Sequence, residues 1–313
     1  MWKSPSPPPP GALPQLRRFT PLVLLMLSML MLSMLLGGAV RAEVLRVVYP
    51  ANEVPGDARF DDLIEILHTA LERTTAEAGP FELRPSTLEM NEARYLSTLK
   101  QGQSINIAWS STSIDKERDL LPLRIPLRKG LLGYRIALIA REQQARIDQI
   151  RTLDDLRRFS VGQGIGWGDV KLYQAAGIKV AQAGYDKLFR MLTLGRFDLF
   201  PRGLTEVYAE YALRAPDDPQ LTVEKNLLLY YPWPYYFFFN HKDGALKQRV
   251  ENGIRMMLRD GSFDALFWRY NGKAIEQANL KGRRVIALPN PMLPKETPLG
   301  EAGLWLDPTK EPP

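Results

Sequence analysis

Residues 110–119 read SSTSIDKERD, four hydroxyl side chains followed by acids and bases in alternation. Ser113 and Arg118 suit a small anion: a planar guanidinium forks onto a carboxylate, and a hydroxyl adds a further donor. The same residues also describe a solvated helix start, with Arg118 in a surface pair with Asp115 or Asp119. A second candidate is GQGIGWGD, residues 162–169. Trp167 stands where a dinucleotide fingerprint needs its third glycine, so the segment reads as a tight turn. Its backbone N–H groups around Gly164 and Gly166 could face an anion.

Other chemistries find no residues. The 313-residue chain has no cysteine, which removes disulfides, thiolate metal sites and thiol nucleophiles. With two histidines, His68 and His241, a histidine-rich metal site is not expected. There is no HExxH or GxSxG motif. We therefore expect no catalytic residue, no metal and no cofactor. The net charge of +6 comes mostly from the first 42 residues, which hold four of the 41 basic residues and no acid. The remainder has 37 basic and 35 acidic residues, a net of +2, which gives no argument for nucleic acid as a partner.

Those 42 residues have their own pattern. A basic, proline-rich start ends at Arg17 and Arg18. No charge follows until Arg41, and small residues Val40 and Ala42 sit at the exit. This is an export signal, residues 1–42, that would place the rest in the periplasm. An uncleaved inner-membrane anchor is the alternative, since the apolar run is just long enough to span a bilayer.

From Val44 onward the chain alternates. VLRVVYP reads as a strand, DDLIEILHTALERTTAEAG as a helix, FELRPST as a strand, NEARYLSTLKQG as a helix and INIAWS as a strand. Such a β-α-β-α-β run predicts an α/β sheet with mostly parallel strands. It places residue 110 at the carboxyl end of the third strand, where open α/β sheets bind ligands. A second α/β series runs from TLDDLRRF to LTEVYAEYALRA, and the aromatic run YYPWPYYFFF brings the chain back. We read that run as a buried strand rather than a ligand-stacking surface. Two amphipathic helices follow, with Leu246, Val250, Ile254, Met257 and Leu258 as the stripe of the first. A proline-rich tail then folds back as far as Trp305. Two series with a late return predict two lobes joined by two crossings, near 128–134 and 231–240.

Four ordered pieces resemble the family 3 solute-binding proteins, exported two-lobed receptors for small polar solutes. They are STSIDKERDLLPLRIPL, IRTLDDLRRFSVGQGIG, LTLGRFDLFPRG and the terminal helix pair HKDGALKQRVENGIRMMLRDGSFDALFWRYNG. The resemblance covers most of residues 44–280. It implies a type II periplasmic-binding fold: residues 43–130 and 237–282 form lobe 1, 131–236 form lobe 2, and 283–313 form a tail. It also implies that Ser111, Ser113 and Arg118 hold a ligand carboxylate, with Gly164 and Gly166 facing it from the other lobe. Amino-acid binders of the family place an Asp after the Gly-x-x-Asp strand to hold an α-ammonium. Here Gly203 takes that place, beside Arg202, and Glu206 lies three residues on. Glu206 could supply such a carboxylate if the following helix starts early; with the usual Asp missing, a carboxylate-bearing solute without an α-ammonium fits the residues better.

The expected protein is a non-enzymatic monomer with a small anionic ligand. Its partner is an inner-membrane ABC permease or a sensor. The alternatives are a dehydratase-like enzyme of the same fold, using Glu206 and Asp198, and a sensory module. No fused output domain is expected, since about 30 residues follow the last strong helix.

Overall fold

The computed structural model describes residues 1–4, 6, 44–52 and 58–307. The expected export segment lies almost wholly outside them. The chain divides into Met1–Glu43 and Val44–Pro313, and every element named here belongs to the second unit. Among the described residues no helix is long and apolar enough to cross a membrane.

The first lobe opens with β1 (Leu45–Ala51), α1 (Asp61–Arg73) and β2 (Phe81–Glu89). Leu63, Ile66, Leu67, Ala70 and Leu71 bury one stripe of α1, the 3.6-residue period expected of a helix lying on a core. The chain continues through α2 (Glu92–Lys100), β3 (Ile107–Ser111), α3 (Ile114–Asp119) and β4 (Leu121–Leu123). It then passes into a second lobe: β5 (Tyr134–Ala140), β6 (Ser160–Gly164), α4 (Asp169–Ala175), β7 (Lys179–Ala183), α5 (Tyr185–Thr193), β8 (Phe200–Gly203), α6 (Val207–Arg214), β9 (Leu221–Val223) and β10 (Leu227–Tyr230). The aromatic run returns it to the first lobe as β11 (Tyr235–Phe239), in which Tyr236 to Phe239 are fully buried. Next come α7 (Gly244–Asp260) and α8 (Ser262–Ala278), and the segment beyond 283 begins with β12 (Arg284–Ala287), back in the second lobe.

The lobes repeat one plan. In the first, β1 and β2 pair in parallel, and β11 runs antiparallel between β3 and β4. Val48 of β1 exchanges hydrogen bonds with Asn106 just before β3. The sequence of strands is therefore β2-β1-β3-β11-β4. In the second lobe β6 and β7 pair in parallel, and Val161 of β6 bridges Leu199 before β8. The strand arriving from the other lobe, β5, runs antiparallel to β8 and to β10, and β12 lies parallel to β10. Both lobes are thus mixed sheets, because the strand that crosses over must enter against the local direction. This is an α/β two-lobed fold in which both sheets present strand ends to the space between the lobes.

The lobes are also joined by packing. Phe263 and Leu266 at the start of α8 belong to the first lobe's core, whereas Phe267 and Ile275 belong to the second's. On α7, Gly253 rests directly on α1: a Cβ there would lie 2.0 Å from the Ala70 carbonyl oxygen. Side-chain-free contact of this kind fixes the helix pair at short range.

Candidate functional site

In the first lobe the site begins where β3 ends. Ser113 has extended backbone angles and its Oγ accepts the Lys116 N–H at 3.2 Å, so it is the N-cap of α3. The cap fixes the phase of the helix. Glu117 turns inward, where it accepts from Thr112 Oγ1 and from Arg124 Nε and Nη2. Arg118, about 100° further round, turns outward. Its side chain is 64% exposed and pairs with Asp115 at 2.8 Å and Asp119 at 3.4 Å. It lines no cavity among those described near the strand ends. Lys116, at the third helical position, folds back over its own cap. Its Nζ donates to Ser110 Oγ at 2.6 Å, Glu92 Oε1 at 2.8 Å and the Ser111 carbonyl at 3.0 Å.

In the second lobe β6 ends at Gly164 and turns through Gly166, whose φ of +82° suits glycine. The Trp167 ring lies over Gly164, where a Cβ would come within 2.3 Å of it. The Arg202 guanidinium sits under the same ring, 4.7 Å from its centre. Arg202 is buried and donates to Glu210 at 2.6 and 2.7 Å, with Glu206 at 3.1 Å. Behind it, Arg135 donates to the Tyr231 hydroxyl at 2.7 Å and approaches Asp169 at 3.1 Å, while Tyr231 donates to Asp169 at 2.6 Å. Burial alone would lower the Arg135 pKa, but Asp169 and its other neighbours raise it, so the charge is retained.

Glu206 precedes α6 and accepts the Gly203 N–H at 3.1 Å. Burial pushes its carboxyl up, yet Arg202, Arg135 and the Gly203 N–H outweigh this and hold it below the ordinary range. Asp198 lies before β8, away from the strand ends that face the other lobe. It accepts the Ser160 N–H, the Ser160 hydroxyl and Arg146.

Among the described residues, two cavities lie between the lobes. The larger, about 790 Å³, is walled by Ser111, Ser113 and Lys116 on one side and by Gly166, Trp167 and Lys171 on the other, with Trp233 and Met292 closing it. The smaller, about 450 Å³, holds Arg59, Asp62 and Arg128 opposite Gly203 and Glu206. Arg128 forks onto Asp62 at 2.6 Å through two nitrogens, which anchors the first crossing to α1. Of the seven residues expected from sequence, Ser111, Ser113 and Gly166 meet in the larger cavity and Glu206 lines the smaller. Gly164 and Arg202 lie against Trp167, and Arg118 points to solvent.

Sequence reasoning missed Lys116, Lys171, Glu92, Trp233 and Met292. Lys116 had a usable signal: three residues after a capping serine, a long side chain can reach back over the helix start. Glu92 and Met292 had none, since each is brought in from a distant element. Among the described residues no group of three or more histidines and carboxylates could hold a metal ion.

No family model and no curated protein sequence matches the chain. Solved structures do resemble it. An ancestral arginine-binding protein bound to arginine is 17% identical over 73% of this chain and 98% of its own, at a TM-score of 0.45. The ancestral amino acid-binding protein AncCDT-1, a precursor of cyclohexadienyl dehydratase, is 18% identical over 72% and 94%, at 0.44. A structure concerning glutathione import via GshT and the cystine ABC importer TcyBC of Streptococcus mutans is 13% identical over 73% and 95%, at 0.47.

Proposed function

We propose that this protein is an exported, periplasmic solute-binding protein that captures a small carboxylate-bearing solute between its lobes. The observation that carries this reading is the larger cavity, which both lobes wall and which holds Lys116 and Lys171 against one carboxylate, Glu92. Lys116 is already desolvated in part, with 27% of its side chain exposed, and it is pre-set by Ser110 and Ser111. An incoming carboxylate would compete with Glu92, which is half-exposed, for the same ammonium. The Ser111 and Ser113 hydroxyls stand beside it, and Trp167 and Trp233 would cover the solute's apolar part. Arg118 has no role in this site.

A binding role is supported over catalysis by the state of the two candidate acids. A proton donor needs a raised pKa, whereas Glu206 and Asp198 are both held low. Each is also committed to hydrogen bonds it would have to give up. The partner in this reading is an ABC permease or a sensor protein, and the binding unit is a monomer.

Calorimetric titration with a panel of organic acids, amino acids and polyamines tests it. A carboxylate should bind, and Lys116→Ala should weaken it by roughly tenfold or more, as loss of a partly desolvated ion pair would. Carboxylates that bind wild type and Lys116→Ala equally, or binding confined to polyamines, would remove this reading.

A further inference from the structure

The segment beyond β12 touches both crossings and both lobes. The Leu288 N–H donates to the Tyr230 carbonyl, and Asn290 Nδ2 donates to the Pro232 carbonyl at 2.9 Å, which holds the second crossing. The Met292 carbonyl accepts the Ile114 N–H at 3.2 Å, the first residue of α3 in the first lobe. Its side chain packs on the second lobe's cluster around Tyr231 and Trp233. Further on, Leu304 is buried in the first lobe's core and Leu306, two residues later, in the second's. The Leu306 N–H donates to the Lys129 carbonyl at 2.7 Å, and its own carbonyl accepts the Tyr134 hydroxyl at 2.8 Å. Lys129 Nζ reaches the Gly303 carbonyl at 2.9 Å. Trp305 lies on Gly130, where a Cβ would come within 2.5 Å of the ring, at a φ of +72° that already favours glycine.

We infer that residues 288–306 are a strap across the hinge that limits how far the lobes part, and that Met292 on this strap selects solutes with an apolar body. A chain joined by two short crossings opens by rotating a few backbone angles in them. Here the rotation must also break backbone hydrogen bonds to residues on both crossings and pull Leu304 or Leu306 out of a core. The selection follows from position. Met292 and Trp233 line the larger cavity with uncharged side chains, and a flexible thioether adapts to an apolar surface. This second part rests on the solute-binding reading; the first does not.

The absence of cysteine makes the test clean, since two introduced thiols are the only labelling sites. Spin labels on Glu77→Cys in the first lobe and Arg196→Cys in the second report the interlobe distance without any ligand. A chain ending at Pro289 should give longer and broader distances than the full chain. If that truncation does not fold, Asn290→Ala with Trp305→Ala loosens the strap at both crossings and should shift the distances the same way. Unchanged distances in the variant that folds would overturn the strap. For Met292, the probes are indole-3-acetate and acetate. Met292→Ala should weaken indole-3-acetate by at least about tenfold, as loss of apolar contact does, and leave acetate unchanged. Equal loss for both probes, or none for indole-3-acetate, would overturn the selection. If neither probe binds wild type, the selection by Met292 is overturned, while the titration panel still decides the carboxylate reading and the label distances still decide the strap.

Discussion

β3 in the first lobe and β8 in the second both end at the interlobe space, and the two ends are built on opposite principles. β3 ends in Ser111 and is followed by Thr112, Ser113 and the cation Lys116, whose partner Glu92 is half-exposed. β8 ends in Arg202 and Gly203 and is followed by Glu206, and Arg202 is backed by Glu210 and by the buried Arg135, Asp169 and Tyr231. The first end holds charge that water or a solute can exchange. The second holds charge whose partners are fixed by the fold. In the proposed binding role the exchangeable end is the one that can give up a contact to a ligand, while the fixed end keeps the opposing wall rigid. Fully paired buried charges do little for net stability, but removing one partner is costly.

That asymmetry predicts the largest effect at Asp169. Arg135 is 5% exposed and cannot reach bulk water when its carboxylate is removed. Asp169→Ala should cost roughly 3–5 kcal/mol of stability in urea unfolding, the penalty for an unpaired buried charge. A loss under about 1 kcal/mol would mean that the network is wet and that the two ends do not differ in kind.

Next in size is Gly164. An added methyl would overlap the Trp167 ring, so Gly164→Ala must push the indole into the cavity or distort β6, at about 1–3 kcal/mol. Gly166→Ala is the control. It meets nothing within 4 Å, and its cost, about 1–2 kcal/mol, would be backbone strain alone. Thermal unfolding compares the stabilities, and the Trp167 environment followed by fluorescence should change only for Gly164→Ala.

The acid limb sharpens the comparison further. Glu206 is held below its ordinary 4.5 and Asp198 below its ordinary 3.8. A carboxyl lowered by folding contributes stability above its unfolded pKa and loses it as pH falls through the folded value. Stability should therefore be flat from neutral pH to about 4.5 and decline below. Glu206→Gln should make that decline shallower. The effect is modest, because 45% of the Glu206 side chain faces solvent, which screens its pairing with Arg202. An unchanged acid limb in Glu206→Gln would place the lost stability elsewhere.

The fold was legible wherever a pattern repeats. The β-α-β-α-β run, the stripe of α7 and the buried reading of Tyr236–Phe239 all rest on periodicity or on dense apolar residues, and these decide burial directly. What could not be read was contact between distant segments. β12 is four residues with Val285 exposed, too short to show alternation, and it exists because β10 offers it an edge. Met292 sits among prolines, and no local rule gives it a neighbour at Ile114. Within the site, the strand ends placed Ser111, Ser113 and Gly166 at the cavity, since each strand end is a local feature. Which charged side chain enters it was decided by helix phase, which the alternating charges of KERD do not carry and only the capping Ser113 sets.

The smallest expected effect lies there, at Arg118. Ser113 caps α3 and thereby sets the rotation of every following residue. Thr112 and Arg124 draw Glu117 inward and hold it there. With Glu117 inside, Lys116 falls on the cavity side and Arg118 on the solvent side, where Asp115 and Asp119 raise its already high pKa without desolvating it. An exposed pair of this kind gains little, because water competes for both partners and two long side chains must be held still. Arg118→Ala should therefore leave both the unfolding midpoint and carboxylate affinity unchanged within error, while Lys116→Ala lowers affinity. Ser113→Ala separates phase from contact: losing the cap costs about 1 kcal/mol and lets α3 rotate or fray, so affinity should fall although no long cation has been removed. Calorimetry on the three variants with one carboxylate ranks them. If Arg118→Ala proves the most damaging, the helix must turn the other way in solution, and the exchangeable end of the first lobe is then built on Arg118 rather than Lys116.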